Sequence, residues 1–219
     1  MYTLYSIESS FIFYALILQV IFSLVTFFIA LTAYKIFGIT QNSNTRSMAL
    51  AFFFICISYA VQALFNFLIF LRVQHDFLVM FGIHPLSVLN EQGLYLHMVF
   101  MSIGLAILMF NAFKTNNKSV LWYMIISSVM VLFLSKNILF GFFMLTSLYF
   151  GFLAHYFYSN YRKNRKKGAL MIAVSFIFLF FGNLLFIFMR KSAIFYAIAH
   201  LFDFLGYLLI LINYYTIRK

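Results

Sequence analysis

The sequence has little of three things on which soluble and secreted domains depend, namely charge, proline and cysteine. Only 9% of its residues are charged and 65% are hydrophobic, whereas charged residues make up about 25% of a typical soluble domain. There is one proline, Pro85, and one cysteine, Cys56, so an intramolecular disulfide and a cluster of cysteine metal ligands are excluded. The composition excludes a soluble globular domain and predicts an all-α, polytopic membrane protein in contact with the lipid bilayer.

Acidic residues are scarce as well, and the fifteen Lys and Arg residues give a net charge of +11. They lie almost entirely between apolar segments, where orientation in the bilayer is a simpler explanation than nucleic-acid binding. We therefore expect no nucleic-acid partner. Residues 1–10 contain Glu8 and no Lys or Arg, unlike the n-region of a cleavable signal peptide. We expect the first hydrophobic segment to be retained.

Seven hydrophobic segments are long enough, or nearly so, to cross a hydrocarbon core of about 30 Å, which takes about 20 residues. The predicted spans are 11–34, 48–71, 93–112, 120–134, 138–158, 169–189 and 193–215. Only Ser135, Lys136 and Asn137 separate the short fourth segment from the fifth. One long helix over 120–158 is therefore the alternative to two separate helices.

The distribution of Lys and Arg favours seven spans of the cell membrane, with the N-terminus on the outer side and the C-terminus on the cytoplasmic side. This arrangement places eleven basic residues inside and four outside, whereas one helix over 120–158 would move the basic cluster at 162–167 outside. We interpret this cluster as a topology anchor that also contacts anionic headgroups. As an alternative, it contacts a cytoplasmic signalling partner. The basic residues of the cluster are Arg162, Lys163, Arg165, Lys166 and Lys167.

A similar pattern in the third and seventh segments predicts an internal repeat. In each of them a histidine comes six or seven residues before a glycine and a Leu-rich run. The corresponding stretches are His97 to Gly104 and His200 to Gly206, preceded by Asn66 to Phe70 and Asn183 to Phe188. The chain is thus predicted to be one domain, 1–219, with parallel repeats at about 11–112 and 138–215 and helix 120–134 as linker.

This 3+1+3 plan resembles the broad opsin, receptor and small-transporter class of seven-helix proteins. The two His-to-Gly helices are also similar to those of the seven-helix sensor regions that precede histidine kinases. The resemblance implies a sensor or receptor-like protein. It does not extend to retinal binding, because residues 193–215 contain no lysine for a Schiff base, or to the helix prolines of small transporters.

The strongest candidate for a functional residue is Asp203, the only acidic residue inside an apolar segment. An ionisable group at membrane depth costs about 2.5–3.5 kcal/mol on insertion scales, so by default it marks a functional site. Tyr196, His200 and Tyr207 share its helix face by their spacing, and the spacing raises the hypothesis that His200 and Asp203 form a pair. With polar residues of other helices, the predicted ligand-binding set is His97, His200, Asp203, Asn66, Asn183, Gln62, Tyr196 and Tyr207.

Three interpretations of these polar residues stay open. In the structural one, they hydrogen-bond between helices and set the helix register. In the functional one, they line an outward-facing pocket for a small ligand or ion, and the protein is a sensor or, alternatively, a small-solute or proton-coupled transporter. In the third, His97 and His200 hold haem b, or with Asp203 a metal ion.

We expect neither a cofactor nor enzymatic activity. The sequence contains no glycine-rich phosphate loop and no pair of carboxylates on one predicted helix. Transport by alternating access needs helices that break or bend, and the predicted helices contain no proline. The sequence therefore favours binding without translocation.

Overall fold

The computed structural model describes residues 9–74, 86–113, 115, 117–188 and 193–217, and these ranges are almost entirely helical. Apolar segments form helices because a helix satisfies all of its own backbone hydrogen bonds, which lipid cannot do. The described residues form the helices α1 (Ser9–Thr40), α2 (Ser43–Gln74), α3 (Leu86–Phe113), α4 (Lys118–Leu134), α5 (Ile138–Asn164), α6 (Lys167–Ile187) and α7 (Ala193–Ile217).

Six of these helices, all but α4, are long and apolar enough to cross a membrane. The all-α fold and the assignment to integral membrane proteins are thereby confirmed. α4 has 17 residues and measures about 25 Å at about 1.5 Å per residue, which is less than the thickness of the hydrocarbon core. Residues 75–85, which include His75, Asp76, His84 and Pro85, lie outside the described part of the chain.

The alternative of one helix over 120–158 is wrong, because α4 ends at Leu134 and α5 begins at Ile138. The side chain of Asn137 caps α5 by accepting a hydrogen bond from the backbone N–H of Phe140, at 3.4 Å. The hydroxyl of Ser135 donates to the carbonyl oxygen of Asn137 at 2.9 Å. The three residues between the two apolar runs therefore stop one helix and start the next.

The helices are arranged as a ring. In the described part of the chain, α1 packs on α2 and α2 on α3, while α5 packs on α6 and α6 on α7. The two groups meet where α1 contacts α7 and where α3 contacts α5. α4 contacts α3 and α5, so it bridges one of the two seams between the groups.

The α2–α3 and α6–α7 pairs make matching close contacts at glycines. A Cβ atom on Gly104 of α3 would come within 2.9 Å of the carbonyl oxygen of Ala51, and one on Gly206 of α7 within 3.0 Å of that of Ser175. Glycine at these positions lets two helix backbones approach closely, as in membrane helix pairs generally. If the two pairs are compared by these contacts, Ala51 corresponds to Ser175 and Gly104 corresponds to Gly206.

α1 and α5 also have a feature in common. The matching hydrogen bonds run from the Thr26 hydroxyl to the Phe22 carbonyl at 2.7 Å and from the Thr146 hydroxyl to the Phe142 carbonyl at 3.0 Å.

By the glycine contacts, Asn183 corresponds to Tyr59. Asn183 comes eight residues after Ser175, and Tyr59 comes eight residues after Ala51. The sequence match of Asn183 with Asn66 is therefore not a structural one. Short matches of that kind arise easily among so many Phe, Leu and Ile residues.

The basic cluster at 162–167 is a tight helical hairpin. Arg162 and Lys163 belong to the last turn of α5, which favours positive charge because the carbonyl end of a helix is negative. Arg165 adopts a left-handed conformation, with φ of 53°, and ends α5.

The end of the bundle that contains this hairpin is called the basic end. The N-terminal end of α2, the C-terminal end of α3 and the N-terminal end of α4 lie there as well.

Candidate ligand-binding cluster

The polar residues predicted on α7 lie in the interior of the ring. His200, Asp203 and Tyr207 are 7%, 4% and 1% exposed. The Tyr207 hydroxyl lies 3.2 Å from that of Tyr59 on α2, and Asp203 is close enough to both hydroxyls to interact with them electrostatically. These residues and their neighbours, all buried except the half-buried Tyr196, are called the central cluster. It consists of Phe22, Tyr59, His97, Phe142, Phe186, Tyr196, His200, Asp203 and Tyr207.

His97 on α3 is held by α2. The buried Ser58 hydroxyl donates to the His97 carbonyl oxygen at 2.7 Å and lies 2.7 Å from His97 Nδ1. Because the hydroxyl has only one hydrogen, it accepts from Nδ1–H, and the imidazole carries its hydrogen on Nδ1. The rings of Tyr59 and Phe142 cover the imidazole at centroid distances of 5.5 and 5.7 Å. This half of the cluster is a satisfied interhelical contact.

His200 on α7 has different surroundings. Neither of its ring nitrogens has a hydrogen-bond partner among the described residues. Its neighbours are the rings of Tyr196, Phe186 and Phe22, at centroid distances of 4.3, 4.8 and 5.7 Å. Phe22 belongs to α1 and Phe142 to α5, so each group of helices places a phenylalanine over the histidine of the other group.

Asp203 lies against α6. Its Oδ1 atom has no hydrogen-bond partner in the described part of the chain. The carboxylate occupies the space next to Gly182, where a Cβ atom would collide with Oδ1 and would come within 3.0 Å of the Ala199 carbonyl oxygen. The glycine is therefore the residue that admits a carboxylate between these two helices.

The hypothesis of a His200–Asp203 pair is wrong. No hydrogen bond joins the two side chains, since both His200 nitrogens and Asp203 Oδ1 lack partners within the described ranges. The imidazole packs among aromatic rings, whereas the carboxylate packs over Gly182 of α6. Sharing a helix face is thus not enough to bring the polar atoms of these two residues into contact.

Three other predicted residues lie on the neighbouring helices. The Asn66 amide donates to Gln19 Oε1 on α1 at 2.7 Å, and the Thr146 hydroxyl of α5 donates to Asn183 Oδ1 at 2.8 Å. Gln62 is half-buried on α2, and none of the described hydrogen bonds joins it to the central cluster. For Asn66 and Asn183 the structural interpretation is confirmed.

Several residues of this region were not predicted from the sequence. Gln19 was detectable, because an amide in the middle of the first apolar segment needs a partner. Ser58, Tyr59, Phe22 and Thr146 carry no such signal, since single hydroxyls and aromatic rings are common in apolar helices. Their roles depend on which helix they face.

The alternative in which His97 and His200 hold haem b, or with Asp203 jointly ligate a metal ion, has no support in the geometry. In the described part of the chain, no three His, Cys, Asp or Glu side chains converge as a metal-binding group, so His97, His200 and Asp203 do not form one. The rings of Tyr59 and Phe22 form a chain of contacts from one imidazole to the other. A haem held by both histidines would have to displace these rings.

No protein-family model, curated protein or solved structure matches this chain. The resemblance to receptors, transporters and sensor regions therefore rests on the seven-segment plan and the His-to-Gly pattern. The function has to be argued from the central cluster itself.

Proposed function

We propose that this chain is a multi-pass sensor or receptor-like protein of the cell membrane, and that its central cluster binds a small cation. One observation carries the proposal. Asp203 Oδ1 and both ring nitrogens of His200 are buried without a hydrogen-bond partner among the described residues. Each such atom costs about 1–3 kcal/mol, and a cation with its water removes this cost.

The chemistry of the cluster favours a cation over other ligands. Asp203 is a carboxylate with no ion-pair partner in the described ranges, and the Tyr59 and Tyr207 hydroxyls are near it. Carboxylate and hydroxyl oxygens and an unprotonated imidazole nitrogen coordinate a cation through their lone pairs, and aromatic faces attract positive charge. The rings around His200 pack at 4.3–5.7 Å, which favours an ion, a proton included, over a larger molecule.

The helices support binding without translocation. The residues of the described chain that have a positive φ and are not glycine are Gln41 and Arg165, and both lie at helix ends. Small transporters place their ion sites at broken helices within the membrane, and the helices that form the central cluster are continuous. A small-solute or proton-coupled transporter is the alternative function, and enzymatic activity forms no part of the proposal.

The proposal includes the topology. Seven spans with the N-terminus outside and the C-terminus inside agree with the Lys and Arg bias, and a parallel repeat, with α4 as linker, agrees with the matched contacts of Gly104 and Gly206. The central cluster then lies in the outer half of the bundle. The hairpin at 162–167 is then cytoplasmic, where it is available to a signalling partner.

The test is thermal unfolding of the purified protein in detergent. Sodium, potassium and ammonium chloride are titrated at constant ionic strength against choline chloride, with a separate series from pH 5 to 8. We expect a saturable stabilisation by one cation, about 1.4 kcal/mol at ten times its Kd. Asp203→Asn should abolish it. Glu91→Gln is the matched control, since Glu91 is an exposed carboxyl group on α3.

The proposal is wrong if no cation, proton included, stabilises the protein in a manner that depends on Asp203. Flux of the same cation into proteoliposomes, lost in Asp203→Asn, would move the function to the transporter alternative. Stabilisation without flux supports the sensor.

A further inference from the structure

A cavity of about 620 Å³, lined by both polar and apolar side chains, lies at the basic end of the bundle, away from the central cluster. This volume is typical of small-molecule sites, which enclose about 300–1,000 Å³. The side chains that give the cavity its chemistry are Ser43 and Ser47 of α2, Asn111 of α3, Thr115, and Lys118 and Trp122 of α4. We call this cavity the basic-end cleft.

The groups around the cleft are suited to an anion. Lys118 supplies an ammonium group, the lining serines and Thr115 supply hydroxyl donors, and the described residues that line the cavity include no carboxylate. α2 begins at Ser43 and α4 at Lys118, so the positive partial charge of two helix N-termini adds to the charge of Lys118. The side chains of Asn42 and Asn117 cap these termini by accepting from the N–H groups of Asn44 and Ser119. Several donors around one positive charge fit the oxygens of a phosphate group.

An apolar cavity of about 170 Å³ adjoins the cleft, and the two share Asn44 and Asn111. The Asn111 amide donates to the Asn44 carbonyl oxygen at 3.2 Å, so this contact forms part of the boundary between them. The apolar cavity is lined mainly by hydrophobic and aromatic side chains, including those of Leu108, Leu153 and Phe157. A polar site next to an apolar one fits an amphiphile.

The position of Trp122 indicates that such a ligand comes from the membrane. Its side chain is 63% exposed although it lines the cleft. It lies in the second turn of α4, close to the helix end. Tryptophan is enriched at the depth of the lipid headgroups, so the cleft opens at the level where phospholipid phosphates lie.

We propose that the basic-end cleft binds the phosphate group of an anionic phospholipid, and that the adjoining apolar cavity takes part of an acyl chain. The site uses none of the residues of the central cluster. It therefore stands or falls independently of the proposed cation.

Trp122 is the only tryptophan of the chain, so its fluorescence reports on the cleft alone. The protein in neutral maltoside micelles is titrated with dioctanoyl phosphatidylglycerol, with dioctanoyl phosphatidylcholine and with inorganic phosphate. We expect a saturable change with phosphatidylglycerol, and a weaker or non-saturable response to the other two. Inorganic phosphate distinguishes a free phosphate site from a lipid site.

Two variants and a control test the cleft itself. Lys118→Gln should weaken phosphatidylglycerol binding about fivefold, and Ser47→Leu, which removes a hydroxyl donor and narrows the cleft, should weaken it as well. Lys136→Gln is the matched control, because Lys136 is also exposed and lies beyond the opposite end of α4. Unchanged thermal unfolding of each variant shows that it is folded.

The proposal is overturned if phosphatidylglycerol and phosphatidylcholine give the same response, or if Lys118→Gln binds phosphatidylglycerol as Lys136→Gln does. It is equally overturned if inorganic phosphate saturates the same signal at the same concentration, since the ligand is then a free anion. Saturable binding of phosphatidylglycerol that depends on Lys118 supports it.

Discussion

The α2–α3 and α6–α7 pairs make matching glycine contacts, yet they differ at the position that is Ser58 in α2 and Gly182 in α6. In the first pair, the Ser58 hydroxyl bonds the carbonyl oxygen and the imidazole of His97. In the second, Gly182 stands at the matching position, and the Asp203 carboxylate takes the space that a side chain would fill. The first pair makes its hydrogen bonds between helices, whereas in the second pair Asp203 Oδ1 has no hydrogen-bond partner among the described residues. The same close contact between two helices can therefore hold either a hydrogen-bonded pair or a carboxylate without a partner.

A shift of one residue explains why the two histidines differ. His97 comes seven residues before Gly104, and His200 comes six residues before Gly206. One residue turns a side chain by about 100° around a helix with 3.6 residues per turn. His97 therefore faces Ser58 on α2, while His200 faces the aromatic rings of Phe186 and Phe22.

The largest expected effect comes from replacing Gly182 of α6 by serine, the residue that α2 has at the corresponding position, Ser58. Gly182→Ser should destabilise the protein by about 3 kcal/mol through overpacking, because its Cβ meets the Asp203 carboxylate and the Ala199 carbonyl oxygen. Thermal unfolding in detergent measures the loss. Gly38→Ser is the control, since a Cβ on Gly38 meets nothing within 4 Å.

A second substitution sharpens this result. Met101 occupies the position on α3 that matches Asp203, so Gly182→Ser combined with Asp203→Met copies the first pair of helices. We expect the double variant to recover at least half of the lost stability. Additive effects would show that Gly182 and Asp203 do not share the same space.

Removing the serine from the first pair should have an intermediate effect. Ser58→Ala deletes two buried hydrogen bonds of 2.7 Å to His97 and should cost about 1–2 kcal/mol in the free energy of unfolding. Ser23→Ala is the matched control. The Ser23 hydroxyl lies 3.4 and 3.5 Å from the carbonyl oxygen and sulfur of Cys56, so its loss should cost under about 0.5 kcal/mol. Equal losses of stability in the two variants would mean that the short Ser58–His97 hydrogen bonds stabilise the protein no more than the long contacts of Ser23.

The smallest loss of stability is expected at His200, where we expect a gain. His200→Phe removes no hydrogen bond and enters an aromatic environment, so without added cation the free energy of unfolding should rise by about 1–3 kcal/mol for each unpartnered nitrogen that is removed. The same variant should weaken the stabilisation by cation. A loss as large as that of His97→Phe would show that His200 is a structural residue and would remove it from the proposed site.

Much of the fold was accessible from the sequence. Each of the seven predicted segments overlaps a helix, and the Ser135 to Asn137 break proved to be a helix boundary. Most helices continue past the predicted limits, α1 by six residues to Thr40, because a helix that satisfies its own backbone hydrogen bonds does not have to end with its apolar residues. The polar face of α7 was predicted as well, since periodicity alone places Asp203 and Tyr207 on one side.

The partners of the polar side chains were less accessible. That Ser58 bonds His97, and that Tyr59 meets Tyr207, depends on the register between helices distant in the chain. Local spacing suggested His200 as the partner of Asp203, and this was wrong. A polar side chain can contact a residue one turn away on its own helix or any residue that the neighbouring helix presents to it, and local spacing does not show which of these it contacts.

The sequence by itself determined that this chain forms apolar helices, because a backbone in lipid must satisfy its own hydrogen bonds. It also determined which residues share a helix face. Only the tertiary structure decided which of those faces meet, because helix register depends on where Gly104, Gly182 and Gly206 allow close approach. That register joins His97 to Ser58 and leaves Asp203 Oδ1 and the His200 nitrogens without hydrogen-bond partners in the described part of the chain.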